Sequence, residues 1–421
     1  MKKLFVSLGL AAVGTAGLHA AYAPDSPDNS KMWNLSATLR GFYDDNYTTT
    51  PQKHGSFGIE ASPSFSLNMP LQQTEIGLRY TYGLYYYQQR ENNGQSPIDQ
   101  THQLDLWLDH AFSSRWEARV EDTVSVSQDP TLTAVGTATP QRVDGNNLVN
   151  TVAASLRTDW TREFSTELSY QNSVYDYENS GGTALQPSYA GLLDRLEQTI
   201  GLDLQWHVSP TTTALIGYKF SQVNFTGNEQ IAPAPSGGAY YSNSRDNRSQ
   251  FGYVGVQHNF LDNLKGSANV GVQYTEYYND PSASSSLGPY AAASLIYTYA
   301  SGSYAQLGVT ESRNATDTVQ IDSQGQITLD QESTVVYGSI NQSLTPKLMG
   351  SLVGRYQYSV FHNGQFNSQS ADFSTVGLNL SYTFNRHVSS DIGYNFDWYT
   401  TPVPGQGYTR NRVYLGVTAT Y

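Results

Sequence analysis

From Trp33 to Tyr421 the chain repeatedly alternates apolar and polar residues at every second position. A β-strand places successive side chains on opposite faces, so this pattern describes strands with one greasy and one polar face. Phe57, Ile59, Ala61, Phe65 and Leu67 alternate with Ser56, Gly58, Glu60, Ser62, Ser64 and Ser66. The pattern recurs at Ile76, Leu78, Tyr80, Tyr82 and Leu84, and again where Leu104, Leu106 and Leu108 face Gln103, Asp105 and Asp109. It recurs at Leu196, Ile200, Leu202, Leu204 and Trp206, and finally at Val413, Leu415, Val417, Ala419 and Tyr421. Helical periodicity is nowhere sustained.

The connections carry the second constraint, because they alternate in length. Short turns fall at 69–72, 113–114, 158–162, 209–210, 261–263, 300–302, 345–346 and 385–387. Longer polar loops fall at 44–55, 89–100, 128–147, 179–194, 226–246, 280–285, 315–328, 362–370 and 401–407. Eight turns and nine loops join 18 strands and return the C-terminus to the short-turn side. The reading is an all-β chain: a transmembrane, antiparallel, up-and-down β-barrel of about 18 strands, with short periplasmic turns and longer extracellular loops. Trp33, Trp116, Trp160 and Trp206 fall at short-turn ends. Tyr43, Tyr86, Tyr175, Tyr177, Tyr277, Tyr358 and Tyr399 fall near long-loop ends, so two aromatic girdles are expected. A soluble sandwich or propeller is the competing fold. It leaves the short/long alternation unexplained, and no internal repeat supports a propeller.

Composition narrows the class. Only 14% of the 421 residues are charged, 32 are Tyr, 36 are Gly and none is Cys. No apolar run after the N-terminus is long enough for a membrane helix, and the absence of Cys removes disulfides, thiolate metal sites and cysteine nucleophiles. A net charge of −13 without a basic tract argues against nucleic acid as a partner. Lys2 and Lys3, an uncharged stretch from Leu4 to Leu18 and small residues at Ala20, Ala21 and Ala23 have the layout of an export signal. Residues 1–23 are therefore expected to be a cleaved signal peptide, with Ala20 and Ala21 as alternative cleavage positions. Residues 24–31 then form a short periplasmic segment and 32–421 the barrel. An uncleaved anchor is the competing reading.

The signal peptide, the Tyr- and Gly-rich hairpins and the final alternation ending at Tyr421 resemble Gram-negative outer-membrane barrels. More narrowly, segments such as LSATLRGFYDDNY, from Leu35 to Tyr47, resemble the putative β-barrel porin type 2 family. The resemblance implies residence in outer-membrane lipid and assembly by the outer-membrane insertion machinery, whose usual signal is a terminal aromatic residue. Tyr421 stands where Phe is commoner.

A closed barrel of this size leaves an aqueous channel. By parity the lumen side collects Arg40, Glu60, Glu75, Arg79, Asp105, Asp109, Arg115, Glu117, Arg119, Glu121, Arg157, Glu167, Glu197 and Asp203 from the first eight strands. Lys219, Arg355, Asp391, Arg410 and Arg412 join them among mostly Asn, Gln, Ser, Thr and Tyr on the later strands. Such residues either set a transverse field on passing solutes or simply pair with one another. The expected function is a porin-like channel for passive diffusion of small polar solutes or ions. Acids at the mouths (Asp44, Asp45, Glu91, Asp99, Asp129, Asp144, Glu178 and Asp194) are expected to give it a weak, salt-sensitive cation preference. Loop 128–147, with Pro130, Gly136, Pro140 and Gly145, is the expected constriction, and loop 226–246 competes for that role.

Two other classes stay open: a structural or adhesive surface barrel with a closed lumen, and an outer-membrane hydrolase. No catalytic motif is present, the eight His are dispersed, and neither a cofactor nor a catalytic residue is expected. A Ser and His pair on adjacent strands could still form a site, since a triad is defined by geometry. Asp44, Asp45 and Asn46 offer oxygen ligands for Ca²⁺, with a solvated loop as the competing reading, and no metal is expected. A plugged transporter of about 22 strands does not fit, because the residues before Trp33 are too few for a plug.

Overall fold

The computed structural model describes residues 31–91, 96–129, 140–235, 237–279 and 285–421. The expectations for the signal peptide, for the segment from 24 to 30, for Pro130 and Gly136 and for loop residues 280–284 lie outside those residues. The first half of the barrel wall consists of β1 (Trp33–Asp44), β2 (Ser56–Pro70), β3 (Thr74–Tyr87), β4 (Ile98–Ala111), β5 (Trp116–Ser127), β6 (Asn147–Asp159), β7 (Phe164–Asp176), β8 (Arg195–Ser209) and β9 (Thr212–Phe225). A short hairpin, β10 (Gln230–Pro233) and β11 (Ala239–Tyr241), lies in the next loop. The wall resumes with β12 (Asn247–Leu261), β13 (Leu264–Tyr277), β14 (Ser286–Ala300), β15 (Ser303–Asn314) and β16 (Asp330–Thr345). It ends with β17 (Leu348–His362), β18 (Ser370–Asn385), β19 (Val388–Thr400) and β20 (Tyr408–Thr420).

These wall strands form one 18-stranded sheet. Each pairs antiparallel with its neighbours in the chain, β9 with β12 across the hairpin, and β1 pairs on one side with β2 and on the other with β20. That last pairing, with Leu39 opposite both Ala61 and Val417, closes the barrel and leaves no free edge. The expected turns and loops fall between wall strands or overlap their ends, as loop 89–100 does with the start of β4. Gly302, at φ +70°, occupies the left-handed region in the tight turn after β14.

Alternation resolves into an outer apolar face. Leu39 is 60% exposed, Ile59 53% and Leu415 63%, as suits side chains solvated by lipid. Trp33, Trp116, Trp160 and Trp206 are exposed at the short-turn rim. The opposite girdle differs from expectation. Tyr43 and Tyr358 are on the outside, but Tyr177, Tyr277 and Tyr399 are buried, and the ring of Tyr175 lies 3.6 Å from the Arg195 guanidinium. The reason is parity: Tyr175 shares a face with Gln171 and Ser173, Tyr277 with Gln273 and Thr275, and Tyr399 with Asp397. Closeness to a loop sets a residue's height on the barrel, not its side. Asp122 is a polar exception on the outer face, in line with Val120 and Val124, where it accepts a 2.6 Å hydrogen bond from Asn150 Nδ2 on β6.

Candidate pore and its extracellular cover

The inner face gathers most of the expected charged residues into separate clusters. At the closure seam Arg40 donates to Asp391 at 2.9 Å and to Glu60 at 3.1 Å, and Arg412 lies 3.5 Å from Glu60. Nearer the loops, Arg410 binds Asp44 at 2.6 Å and Asp129 at 2.8 Å, with Asp397 at 4.0 Å. Across β3 to β5, Glu75 is opposite Asp109 and Arg79 opposite Asp105, while Arg119 lies 3.6 Å from Asp109 and donates to Glu121 at 2.8 Å. Arg157 turns to Asp159 at 3.2 Å, Glu167 accepts from Gln205 at 3.1 Å, and Arg355 donates to Gln357 at 2.5 Å. Lys219 donates to Tyr290 Oη at 3.4 Å. Glu117 is exposed at the short-turn end of β5. Arg115 is not on the wall: β4 ends at Ala111 and β5 starts at Trp116, so it sits exposed in the turn, its backbone N–H bonded to Ser113 Oγ at 3.2 Å.

The loops fold over the long-loop mouth. Val143, the helix α1 (Tyr189–Leu193), Ile231, Ala232, Val319, Ile327 and Leu329 pack with Tyr177 and Tyr277 into one apolar cluster. Burial of this apolar surface holds loops of separate origin together. Ser188 caps α1 by accepting from Gly191 N–H at 2.9 Å. Its hydroxyl also donates to Glu229, which accepts from Gly181 and Gly182 N–H as well. Against the cost of burial, these donors hold the Glu229 carboxyl below its usual range. Arg245 is wholly buried. It donates to Leu192 O and, at 2.9 Å, to Thr316 O, and its guanidinium lies 4.2 Å from the Phe225 ring. Burial, aided by the positive charge of Arg195, lowers it to about 9. Gly364, at φ +68°, lets loop 362–370 approach Gln320 O so closely that a Cβ would sit 2.2 Å from it.

Loop 128–147 reaches inward at its described ends. Arg142 binds Asp99 at 2.7 Å and Asp144 at 3.0 Å, and its N–H donates to Thr49 Oγ1 at 2.7 Å. Burial disfavours the Arg142 charge, but Asp99 outweighs it and the guanidinium titrates above its ordinary value. Gln141 Nε2 donates to Gln406 O at 2.8 Å, and Tyr408 Oη to Pro140 O at 2.5 Å. Loop 226–246, the rival constriction, enters the same cover through Ile231, Ala232 and Arg245.

Two other expectations meet specific geometry. The Asp44–Asp45–Asn46 group is already committed: Asp44 to Arg410, and Asp45 to Lys53 at 2.6 Å and Asn411 at 2.7 Å. Among the described residues no group of three or more His, Cys, Asp and Glu is placed to hold a metal ion. Ser165 Oγ and His207 Nε2 do meet, at 3.1 Å across β7 and β8, with Thr213 Oγ1 2.9 Å from His207 Nδ1. Ser165 is 0% exposed and the third group is a hydroxyl, so the pair lacks both access to a substrate and a carboxylate to stabilise an imidazolium.

Residues missed in the sequence are Arg90, which also binds Asp99 at 2.7 Å, Arg142 and Arg245 in loops, and Tyr253 and Tyr290 on the inner wall; all but Arg90 have partners dozens of residues away. A lone arginine in a long polar loop was the only signal for the first three.

A closed barrel with an apolar outer belt, a charged interior and loops folded over one mouth defines an outer-membrane porin. The chain belongs to the family described as Putative beta-barrel porin 2, which matches residues 32–421. No curated protein matches it. Among solved structures it is similar to Acinetobacter baumannii OccAB4, at 13% identity and TM-score 0.41 over 94% of this chain and 100% of that one. It is similar to Pseudomonas aeruginosa OpdK with vanillate, at 10% identity and TM-score 0.43 over 92% and 99%. It is also similar to P. aeruginosa OccK2 (OpdF) in complex with glucuronate, at 10% and 0.43 over 92% and 98%.

Proposed function

We propose that this porin is a passive diffusion channel for small hydrophilic solutes with a weak preference for cations, and that the inner-face residues above line the path. The observation that carries the reading is the distribution of unpaired charge. The arginines of the seam, Arg40, Arg410 and Arg412, each have a carboxylate within 4.0 Å. On β3 to β9, by contrast, Glu75, Asp105, Glu117, Glu167 and Asp203 make no ion pair within that distance among the described residues and outnumber Arg79 and Lys219, which likewise make none there. Uncompensated acids raise the local cation concentration, an effect screened over about 8 Å at physiological salt. The mouth contributes less than composition suggests, because Asp44, Asp99 and Asp129 are held by arginines.

Reversal potentials in planar bilayers under a KCl gradient test the reading. Cation preference at low salt that fades towards about 1 M supports it, and anion preference would mean that Arg79, Arg119 and Lys219 govern the path. A second reading, a surface barrel with a closed lumen, is favoured by the apolar loop cover with Arg245 at its centre. Absence of ion conductance from the inserted barrel would select it.

A further inference from the structure

The inner wall holds a cavity of about 380 Å³ lined from β5 round to β9 and from β12 to β16, with Arg119, Glu121, Glu197, Arg313 and Asp330 also on its border. That volume suits a small solute. The sequence sets opposite charges side by side here. Glu167 and Asp203 are opposite each other on β7 and β8, and Lys219, on β9, is in the electrostatic field of both. Yet Lys219 makes no ion pair with either. Its ammonium is held by aromatic faces, 5.3 Å from the Tyr253 ring centre and 5.8 Å from that of Tyr290, an arrangement that stabilises a cation without neutralising it.

The packing keeps the charges apart. Tyr253 lies across Gly217, where a Cβ would meet its ring at 2.2 Å, and its hydroxyl donates to Asp203. Tyr290 packs edge-on against Phe251 at 5.3 Å, so an apolar wall stands beside the ammonium. Asn269 Oδ1, which also borders the cavity, is buried with no hydrogen-bond partner among the described residues. Arg119 is paired with Glu121, Glu197 with Arg195 and Arg313 with Asp330. The corner around Lys219 thus keeps one cation outside any ion pair among the described residues, two acids and an aromatic wall. It is poorly matched to a simple anion, which the acids repel, and to a simple amine, which Lys219 repels. A solute that carries both charges on neighbouring atoms satisfies all of them.

We infer that this cavity binds a small zwitterion of the amino-acid type in transit, with its carboxylate on Lys219, its ammonium between Glu167 and Asp203, and its side chain against Phe251 and Tyr290. The inference rests on the channel reading above and specifies its solute class. Three probes sharing one ring test it on the full-length inserted barrel: L-phenylalanine, phenethylamine, which lacks the carboxylate, and 3-phenylpropionate, which lacks the ammonium. Ion current through single channels is recorded with each probe at neutral pH. L-phenylalanine is expected to interrupt the current at about tenfold lower concentration than either analogue, the scale of one charged contact. Lys219→Met is expected to remove the advantage over phenethylamine, and Glu167→Gln to reduce that over 3-phenylpropionate.

Equal interruption by all three probes on the unmodified barrel overturns the inference whether or not a variant inserts. So does a Lys219→Met channel that responds to L-phenylalanine as the parent does. A parent barrel without baseline current overturns the channel reading instead, and the missing baseline separates that failure from equal interruption.

Discussion

Arg410 Nη2 on β20 lies 2.6 Å from Asp44 Oδ2 on β1, joining the last strand to the first across the closure seam. The same guanidinium binds Asp129 at 2.8 Å, so one buried arginine ties both ends of the barrel to loop 128–147. Removing one partner of a buried ion cluster costs about 3 to 5 kcal/mol, because the remaining charges stay uncompensated. Arg410→Met strands Asp44, Asp129 and Asp397 together and is expected to lose stability on that scale. Asp44→Asn, which leaves Arg410 two other acids, is expected to lose less. Urea unfolding of the micelle-embedded barrel gives the comparison, and equal losses would mean that the acids do not act on a common arginine.

The two faces of β4 make a second test. Leu106 shares the outer face with Leu108, which is 38% exposed, whereas Asp105 is opposite Arg79 on the inner face. Leu106→Arg puts a charge into lipid and is expected to cost about 2 to 4 kcal/mol, while Asp105→Asn is expected to cost little. The fraction of folded, heat-modifiable barrel on a gel decides it, and equal loss in both variants would reverse the assignment of faces.

The cover should respond to acid. Asp194, at the C-terminal end of α1, accepts from Tyr177 N–H at 2.7 Å. Burial, with the negative charges of Asp176 and Glu229, raises its carboxyl from 3.8 to about 6 despite that hydrogen bond. A raised value means that the folded cover favours the neutral acid. Its contribution is fully present below 3.8 and is lost as pH rises through about 6. Conductance is therefore expected to fall between pH 7.5 and pH 5 on the extracellular side, and Asp194→Asn to flatten the change. An unaltered pH response in that variant would assign it to another group.

Arg142 is one tether of the described part of loop 128–147, beside the bonds made by Asp129, Pro140 and Gln141. Replacing it with Ala cuts the bonds to Asp99 and Asp144 and is expected to raise single-channel conductance, as is deletion of the loop. Lys53→Ala, which removes an ion pair whose lysine is 43% exposed, is expected to leave conductance unchanged. Equal conductance in Arg142→Ala, the loop deletion and the parent would remove this loop as the constriction.

Much of the wall was legible in the sequence because a strand's period is two and its environment has two sides. Leu39, Ile59 and Leu415 show lipid-facing positions by alternation alone, and the alternating connection lengths yield both the number of strands and the side on which each loop lies. Alternation says nothing about partners. Arg40 finds Asp391, and Arg410 finds Asp44, only because the sheet closes on itself and brings the chain's ends into register. Tyr177, Tyr277 and Tyr399 turn away from the outer girdle for a related reason: parity with inward polar residues sets their side of the wall, and nearness to a loop sets only their height.

The loops lay furthest from sequence reading. Helix α1, the β10–β11 hairpin and the buried Arg245 are too short to have a period, and their conformations follow from packing against segments dozens of residues away. Local sequence determined the strands and their two faces, since each follows from contacts within and beside one segment. The ion clusters, the cavity and the closed mouth were decided by tertiary structure, because electrostatic pairing and apolar burial depend on distances that exist only once the barrel has closed.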